Sequence, residues 1–205
     1  PIVMGTGGRS DKGKAAARSH TGALTGNDKV FDAVCRKYGV VRCPSLDDLI
    51  ETALALQFGR LPKGKRIAMA GYSGGAKGLF LDYAAAEGAE IAELSQSTLD
   101  ALSPLIDLGL RPDNPLDTGA GLAVRQSVFS RICQIIAGDE HVDILTVQGQ
   151  LPLSPEENID PTVFADIVES TDKPVLVYGR IAQNVTEVGR AFQEKAKAPF
   201  IQGLP

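Results

Sequence analysis

The sequence has no tryptophan, two histidines, three cysteines and two methionines in 205 residues. Two histidines exclude a histidine-rich metal centre, and no metal ligand set is expected. Cys35, Cys43 and Cys133 lie in apolar or strand-like settings without Cys-x-x-Cys spacing. That excludes a disulfide framework and predicts reduced, buried thiols in a cytoplasmic protein. There is no surplus of basic charge. The formal net charge of -4 argues against nucleic acid or an anionic membrane as an electrostatic partner. No apolar run approaches the ~20 residues needed to cross a bilayer. Nor is there a basic start followed by a short apolar core, the signature of a secretory leader. The chain opens on the strand-like Pro1-Ile2-Val3-Met4 and closes on the strand-like Phe200 to Pro205. Ends set inside apparent secondary structure predict a piece of a longer polypeptide.

What is present suits one large domain or two small ones with a real core, since 43% of residues are hydrophobic. A glycine-rich, basic loop is expected over Gly5 to Arg18, with Arg9, Lys12, Lys14 and Arg18. Val30, Phe31, Val34 and Tyr38 fall at helical spacing behind a cap at Asn27 or Asp28, and Gly39 stops that helix. Val40 to Arg42 reads as a strand, and Ser45 caps a helix running toward Phe58. Residues 59–65, with Pro62 and Gly64, read as a linker.

From Arg66 the rhythm is regular. Strands are expected at Ile67–Ala70, Ala89–Glu93, Val142–Val147 and Pro174–Tyr178. Between and after them come helices at Ala76–Glu87, after Ser95 or Ser97, and at Val124–Ala137, Pro161–Ser170 and Asn184–Lys195. An irregular stretch fills Leu108–Leu122. Strands alternating with amphipathic helices predict a parallel sheet covered on both faces. Residues 66–205 thus read as an open, flavodoxin-like α/β domain. Residues 1–58 read as the C-terminal part of a second, similar domain.

Ligands of such sheets bind beyond the carboxyl ends of the strands, here the loops at Tyr72–Gly78, Asn114–Gly121 and Gln148–Pro155. The run Gly71-Tyr72-Ser73-Gly74-Gly75-Ala76-Lys77-Gly78 leaves a strand and opens a helix, so its backbone N–H groups and the helix dipole suit a phosphate or carboxylate. It matches neither a P-loop nor a Gly-x-Gly-x-x-Gly fingerprint, and a plain tight turn has the same look. Gly-Tyr-Ser-Gly-Gly resembles a hydrolase nucleophile turn only superficially. His20, in Ser19-His20-Thr21-Gly22, sits among small polar residues and not on an apolar helix face. Imidazole with an ordinary pKa of about 6.5 is a competent nucleophile at neutral pH, and a mobile setting would let it carry a phosphoryl group. His141 reads as a solvated turn residue. Arg9, Lys12, Lys14 and Arg18 could attract a polyphosphate or acyl phosphate, or be merely solvated. Asn114 and Asp117 beside Gly119 fit Asx-turn chemistry.

Together these motifs resemble the NDP-forming acyl-CoA synthetase family, which includes ADP-forming acetyl-CoA synthetases and succinyl-CoA synthetase. The run Gly8-Arg9-Ser10, Ala15-Ala16-Ala17 and Ser19-His20-Thr21-Gly22-Ala23-Leu24-Thr25-Gly26 is similar to the family's phosphohistidine loop, and continues through Asp32-Ala33 and Tyr38-Gly39-Val40. Ser73-Gly74-Gly75, with Asp82 and Gly88, resembles the start of its second ligase domain. Asn114-Pro115 and Asp117 resemble its Asn-Pro-x-Asp element. The resemblance covers nearly the whole chain. It implies conversion of a carboxylic acid, CoA and ATP to acyl-CoA, ADP and phosphate through an acyl phosphate, with His20 the phosphoryl carrier. Ser19, Thr21 and Gly22 would support its loop, and Ser73, Gly74 and Gly75 would bind the phosphoryl group. Mg would accompany the nucleotide. A CoA-binding domain and an ATP-grasp domain, absent from these residues, would hold most of CoA and ATP in an oligomeric assembly. Relatives commonly carry Asn where this chain has Tyr72. With Asn114 and Asp117, Tyr72 is a candidate for the acid pocket, and its ring suggests a larger or aromatic acid. An acyltransferase or regulatory relative, or a non-catalytic CoA-binding module with the same domains, is the alternative.

Overall fold

The computed structural model describes residues 1–21, 26–57, 60–123, 125–157, 159–179 and 181–202. The chain divides into two compact units, Pro1–Leu56 and Gln57–Pro205. Among the described residues no helix is long and apolar enough to cross a membrane.

The first unit pairs two parallel strands, β1 (Ile2–Gly5) and β2 (Val40–Cys43), in the register Ile2 to Val40 through Gly5 to Cys43. Between them lie α1 (Asp11–Thr21) and α2 (Asp28–Tyr38), and α3 (Leu46–Gln57) follows β2. The basic loop expected over Gly5 to Arg18 is in part a helix. Lys12, Lys14, Ala15, Ala16, Ala17 and Arg18 are all good helix formers, and their summed preference outweighs Gly13. Ser10 starts the helix, its Oγ accepting from Gly13 N at 3.1 Å and its carbonyl from Lys14 N at 2.8 Å. Asn27 caps α2 by accepting from Lys29 N, and Gly39 ends it at φ 65°, a left-handed conformation that costs glycine little.

The second unit is a parallel sheet ordered β4-β3-β6-β7-β8. Its strands are β3 (Arg66–Gly71), β4 (Glu90–Ile91), β5 (Leu116–Asp117), β6 (Ile144–Gln148), β7 (Val175–Tyr178) and β8 (Phe200–Ile201). Leaving aside the short β5, this is the flavodoxin order 2-1-3-4-5, with its switch point between β3 and β6. The helices are α4 (Gly74–Glu87), α5 (Gln96–Leu102), α6 (Gln126–Gly138), α7 (Thr162–Glu169) and α8 (Glu187–Ala196). Alternate strand residues face two cores. Ala68, Ala70, Leu145, Val147, Val175 and Val177 join Phe129, Ile132, Ile136, Phe164 and Phe192 from α6, α7 and α8. On the other face α4 packs Ala76 and Phe80 with Met69, Tyr178 and Ile201. Cys35, Cys43 and Cys133 are buried thiols.

The stretch Leu108–Leu122 holds a strand that its irregular composition hides. β4 pairs with the first half of β3 (Arg66 to Glu90, Ile67 to Ile91) and β5 with its end (Ala70 to Leu116, Gly71 to Asp117). The Asn114 side chain fills the interval between them. Its Oδ1 accepts from Met69 N at 2.9 Å, while Nδ2 donates to Ile67 O and Ala92 O, each at 2.9 Å. The amide thus acts as a spare peptide group in the ladder. Replacing it takes from Met69 N and Ala92 O the partner it supplies, each loss costing about 1–3 kcal/mol when buried, while Ile67 O keeps the Ala92 N–H at 2.9 Å. We expect Asn114→Ala to destabilise the second unit by roughly 3 kcal/mol, read as a shift of the urea midpoint at unchanged slope. An unshifted midpoint would contradict the assignment.

A second tie joins the starts of β3 and β6. Asp143 Oδ2 accepts from Arg66 N at 3.0 Å and Nε at 2.9 Å, and Oδ1 accepts from Nη2 at 3.0 Å. The hydrogen bonds from the Arg66 side chain and backbone hold the Asp143 carboxyl at a pKa of about 2. Its folded pKa lies below the ordinary carboxylate value of about 3.9. The stabilisation is therefore fully present above about pH 4 and is lost as pH falls toward about 2. Asp143→Asn should lower the melting temperature at pH 7 and flatten its decline between about pH 4 and pH 2, measured by calorimetry.

Candidate functional site

His20 lies exposed in the last turn of α1. The helix brings it there with Ser19, whose Oγ donates back to Ala16 O at 2.8 Å. Thr21 is the final residue of α1, and Gly22 lies outside the described residues. Close by in sequence is a charge cluster that motif reading did not single out. Arg42, on β2, donates from Nη1 to Asp32, from Nη2 to Asp28 at 2.5 Å and from Nε to Thr6 Oγ1 at 2.7 Å. Its guanidinium carbon stands 4.9 Å from the Phe31 ring centre. Arg9 adds longer pairs to the same carboxylates, at 3.5 and 3.6 Å. The hydrogen bond from Arg42 holds Asp28 below the usual carboxylate range, and Asp28 with Asp32 holds the Arg42 guanidinium above its ordinary value. The signal available in the sequence was the Asp28/Asp32 pair at i, i+4, which puts both acids on one helix face.

In the second unit the turn after β3 is ordered by a serine cap and two close approaches. Ser73 Oγ accepts from Ala76 N at 3.4 Å, so the hydroxyl is a helix cap rather than a nucleophile. Lys77 N donates to Ser73 O at 3.0 Å. The first-turn N–H groups of Gly74 and Gly75 precede any intrahelical acceptor, as at every helix start. Asp117 sits alongside, its Oδ1 accepting from Gly119 N at 3.0 Å and its Oδ2 only 3.2 Å from where a Cβ on Gly74 would stand. Asn114, a candidate for the acid pocket, is instead committed to the sheet by the three bonds above.

Tyr72 N–H donates to Gln148 Oε1 at 3.2 Å, and the Tyr72 ring meets Phe129 edge-on with centroids 5.9 Å apart. Gly71 permits this closure, because a Cβ there would lie 2.7 Å from Gln148 Oε1 and 2.9 Å from Met69 Cε. Gln148 is 2% exposed at the end of β6. Tyr72, Phe129, Gln148, Ile159, Val163 and Phe164 are among the residues around a cavity of ≈ 90 Å³. Sequence reading placed Gln148 at the start of a ligand-facing loop, Gln148–Pro155, without singling out its side chain. His141 lies in a turn, its Nδ1 donating to Glu93 O at 2.9 Å. Among the described residues no cluster of three His, Cys, Asp or Glu side chains could cage a metal ion.

The model of the succinyl-CoA ligase-like flavodoxin domain matches residues 1–56. The ADP-forming acetate–CoA ligase II of Archaeoglobus fulgidus is 39% identical over 57% of this chain and 17% of its own length. The ADP-forming acetate–CoA ligase I of the same organism is 32% identical over 100% of this chain and 27% of its own. The chain therefore spans well under half the length of these relatives. The dinucleotide-forming acetyl-coenzyme A synthetase 1 of Ca. Korarchaeum cryptofilum, in complex with phosphate and ADP, shares the fold. It superposes with a TM-score of 0.78 at 21% identity, covering 98% of this chain and 43% of that one. On these matches, the chain belongs to the ADP-forming acyl-CoA synthetase family, built on succinyl-CoA ligase-like flavodoxin domains.

Proposed function

We propose that the chain is the phosphoryl-carrying part of a longer acid–thiol ligase that makes acyl-CoA from a carboxylic acid, CoA and ATP. The observation that carries the reading is His20 itself: an exposed imidazole at a helix end, in a chain related over its full length to an ADP-forming acetate–CoA ligase. The imidazole nitrogen attacks the γ-phosphorus of ATP and ADP leaves. A carboxylate oxygen then takes the phosphoryl group, giving an acyl phosphate and free imidazole. The CoA thiolate attacks the acyl carbon and phosphate departs. Every step is reversible.

Chemistry assigns the other residues. The C-terminal end of α1 carries partial negative charge and offers a dianionic phosphoryl group no stabilisation. A helix N-terminus offers the opposite, and the turn Ser73-Gly74-Gly75 provides N–H donors for phosphoryl oxygens. Ser19, Thr21 and Gly22 set the carrier's freedom. CoA and ATP, with its Mg, are held mainly by CoA-binding and ATP-grasp domains on the same or a partner chain, within an oligomer.

Radiolabelled ATP given to the full-length protein should leave an acid-labile, base-stable phosphoryl label. His20→Asn should abolish the label and reduce acyl-CoA formation by about a thousand-fold or more. Label that persists in the variant, or an unlabelled protein with acyltransferase activity, would overturn the reading.

A further inference from the structure

His20 rides on a helix that draws little from packing within its own unit. From Asp11 to His20 no residue is buried, and only Gly13, Lys14 and Ala17 are half-buried. The 11 residues of α1 fall short of the roughly 12–15 at which a helix begins to hold by itself in water. Its direction therefore depends on the stretches that lead into and out of it.

Those stretches meet at Arg42. Its backbone is anchored in the two-stranded sheet, in register with Met4. Its side chain, 8% exposed, then reaches both flanks of α1. Nε donates to Thr6 Oγ1 at 2.7 Å, between β1 and α1. Nη1 and Nη2 donate to Asp32 and Asp28 on α2, the next helix along the chain. Arg9, immediately before the Ser10 that starts α1, pairs with the same two acids. The path from sheet to helix thus runs from Arg42 to Asp28 and Asp32, then to Arg9 and Ser10. A planar guanidinium holds several acceptors in fixed directions, which an ammonium does not.

Leverage makes this clamp matter. At 1.5 Å per residue, His20 stands about 15 Å along the axis from Ser10. A tilt of about 10° at the base carries the imidazole through roughly 2.5 Å. In-line attack needs the reacting atoms about 3–3.5 Å apart, and a misplacement of about 1 Å can cost roughly a hundredfold in rate.

We propose that Arg42 is a positioning residue for phosphoryl transfer: its guanidinium clamps Thr6, before the His20 helix, to Asp28 and Asp32 after it, and so sets the direction in which His20 is presented. The clamp lies wholly within the first unit. It deepens the synthetase reading and rests on it for His20's role as carrier. Arg42 acts through the helix and not on the reacting atoms.

An ion-pair network that only stabilised the unit would slow labelling no more than it lowered the folded fraction. Rapid-quench phosphorylation of the full-length protein by radiolabelled ATP, with the folded fraction read by circular dichroism, separates the two. Arg42→Lys keeps the charge and loses the fork. It should cut the maximal rate of His20 labelling per folded molecule by about tenfold or more, at an unchanged half-saturating ATP concentration. Thr6→Val removes one acceptor at nearly constant shape and should cut that rate by about threefold. Wild-type maximal rates in both variants, or a change confined to the half-saturating ATP concentration, would overturn the proposal. If Arg42→Lys does not fold, Thr6→Val decides alone. A wild type that takes no label on His20 condemns the synthetase reading and the clamp with it. A labelled wild type with unaffected variants condemns the clamp alone.

Discussion

The second unit depends on one side-chain amide taking the place of a peptide group. β4 and β5 have two residues each, too short to hold a place in a sheet by their own ladders. Asn114 binds β3 and the residue after β4 at once, and it stands two residues before β5. From that point the constraints run outward. Thr118 N and Oγ1 both donate to Gly71 O, at 2.8 and 3.0 Å, which fixes the end of β3. Gly71 then admits Gln148, which takes the Tyr72 N–H, and the Tyr72 ring settles on Phe129. The loop chemistry is thereby tied to the sheet interior.

Charge does a separate job in each unit. Arg66 and Asp143 hold the starts of β3 and β6 together, and Gly64 is needed there, because a Cβ would fall 2.3 Å from Asp143 Oδ2. Arg42 gathers Thr6, Asp28 and Asp32 from segments on either side of the His20 helix. Arg9 spends its charge on the same two acids. The basic segment near the start of the chain is therefore partly neutralised within its own unit, which favours a structural over a polyphosphate-attracting role for Arg9.

The alternation of strands and helices after Arg66 was legible because it rests on periodic burial, which leaves a periodic sequence. The caps at Asn27 and Ser95, each read as one of two neighbouring candidates, were legible for a similar reason, being set by a single local side chain. What escaped was set at a distance. α1 was read as a loop because Gly7, Gly8 and Gly13 outweighed the lysine and alanine run. β5 has two residues and no periodicity to display. Asn114 reads locally as a turn former, and only partners some 22 to 47 residues away reveal its ladder role. The Gln148 side chain carries no local signal either. Its importance comes from a pairing across 76 residues and from the donor that pairing leaves over.

Under the proposed function, the balance of charge at the α4 N-terminus bears on how the Ser73 turn would meet a phosphoryl group. A helix N-terminus favours an anion by about 0.3–1 kcal/mol at an exposed site. Asp117 sets a carboxylate beside Gly74, and each unit of phosphoryl charge about 5 Å from it is repelled by roughly 1 kcal/mol in water and more where the solvent is thinner. The two effects are of similar size and opposite sign. A turn built to store phosphate would exclude the carboxylate, as its dipole and N–H groups would then act unopposed. On the synthetase reading, near-cancellation is the useful arrangement: the turn orients a passing phosphoryl group through its N–H donors without holding it so tightly that transfer slows. This is the condition under which binding serves the transition state more than the ground state.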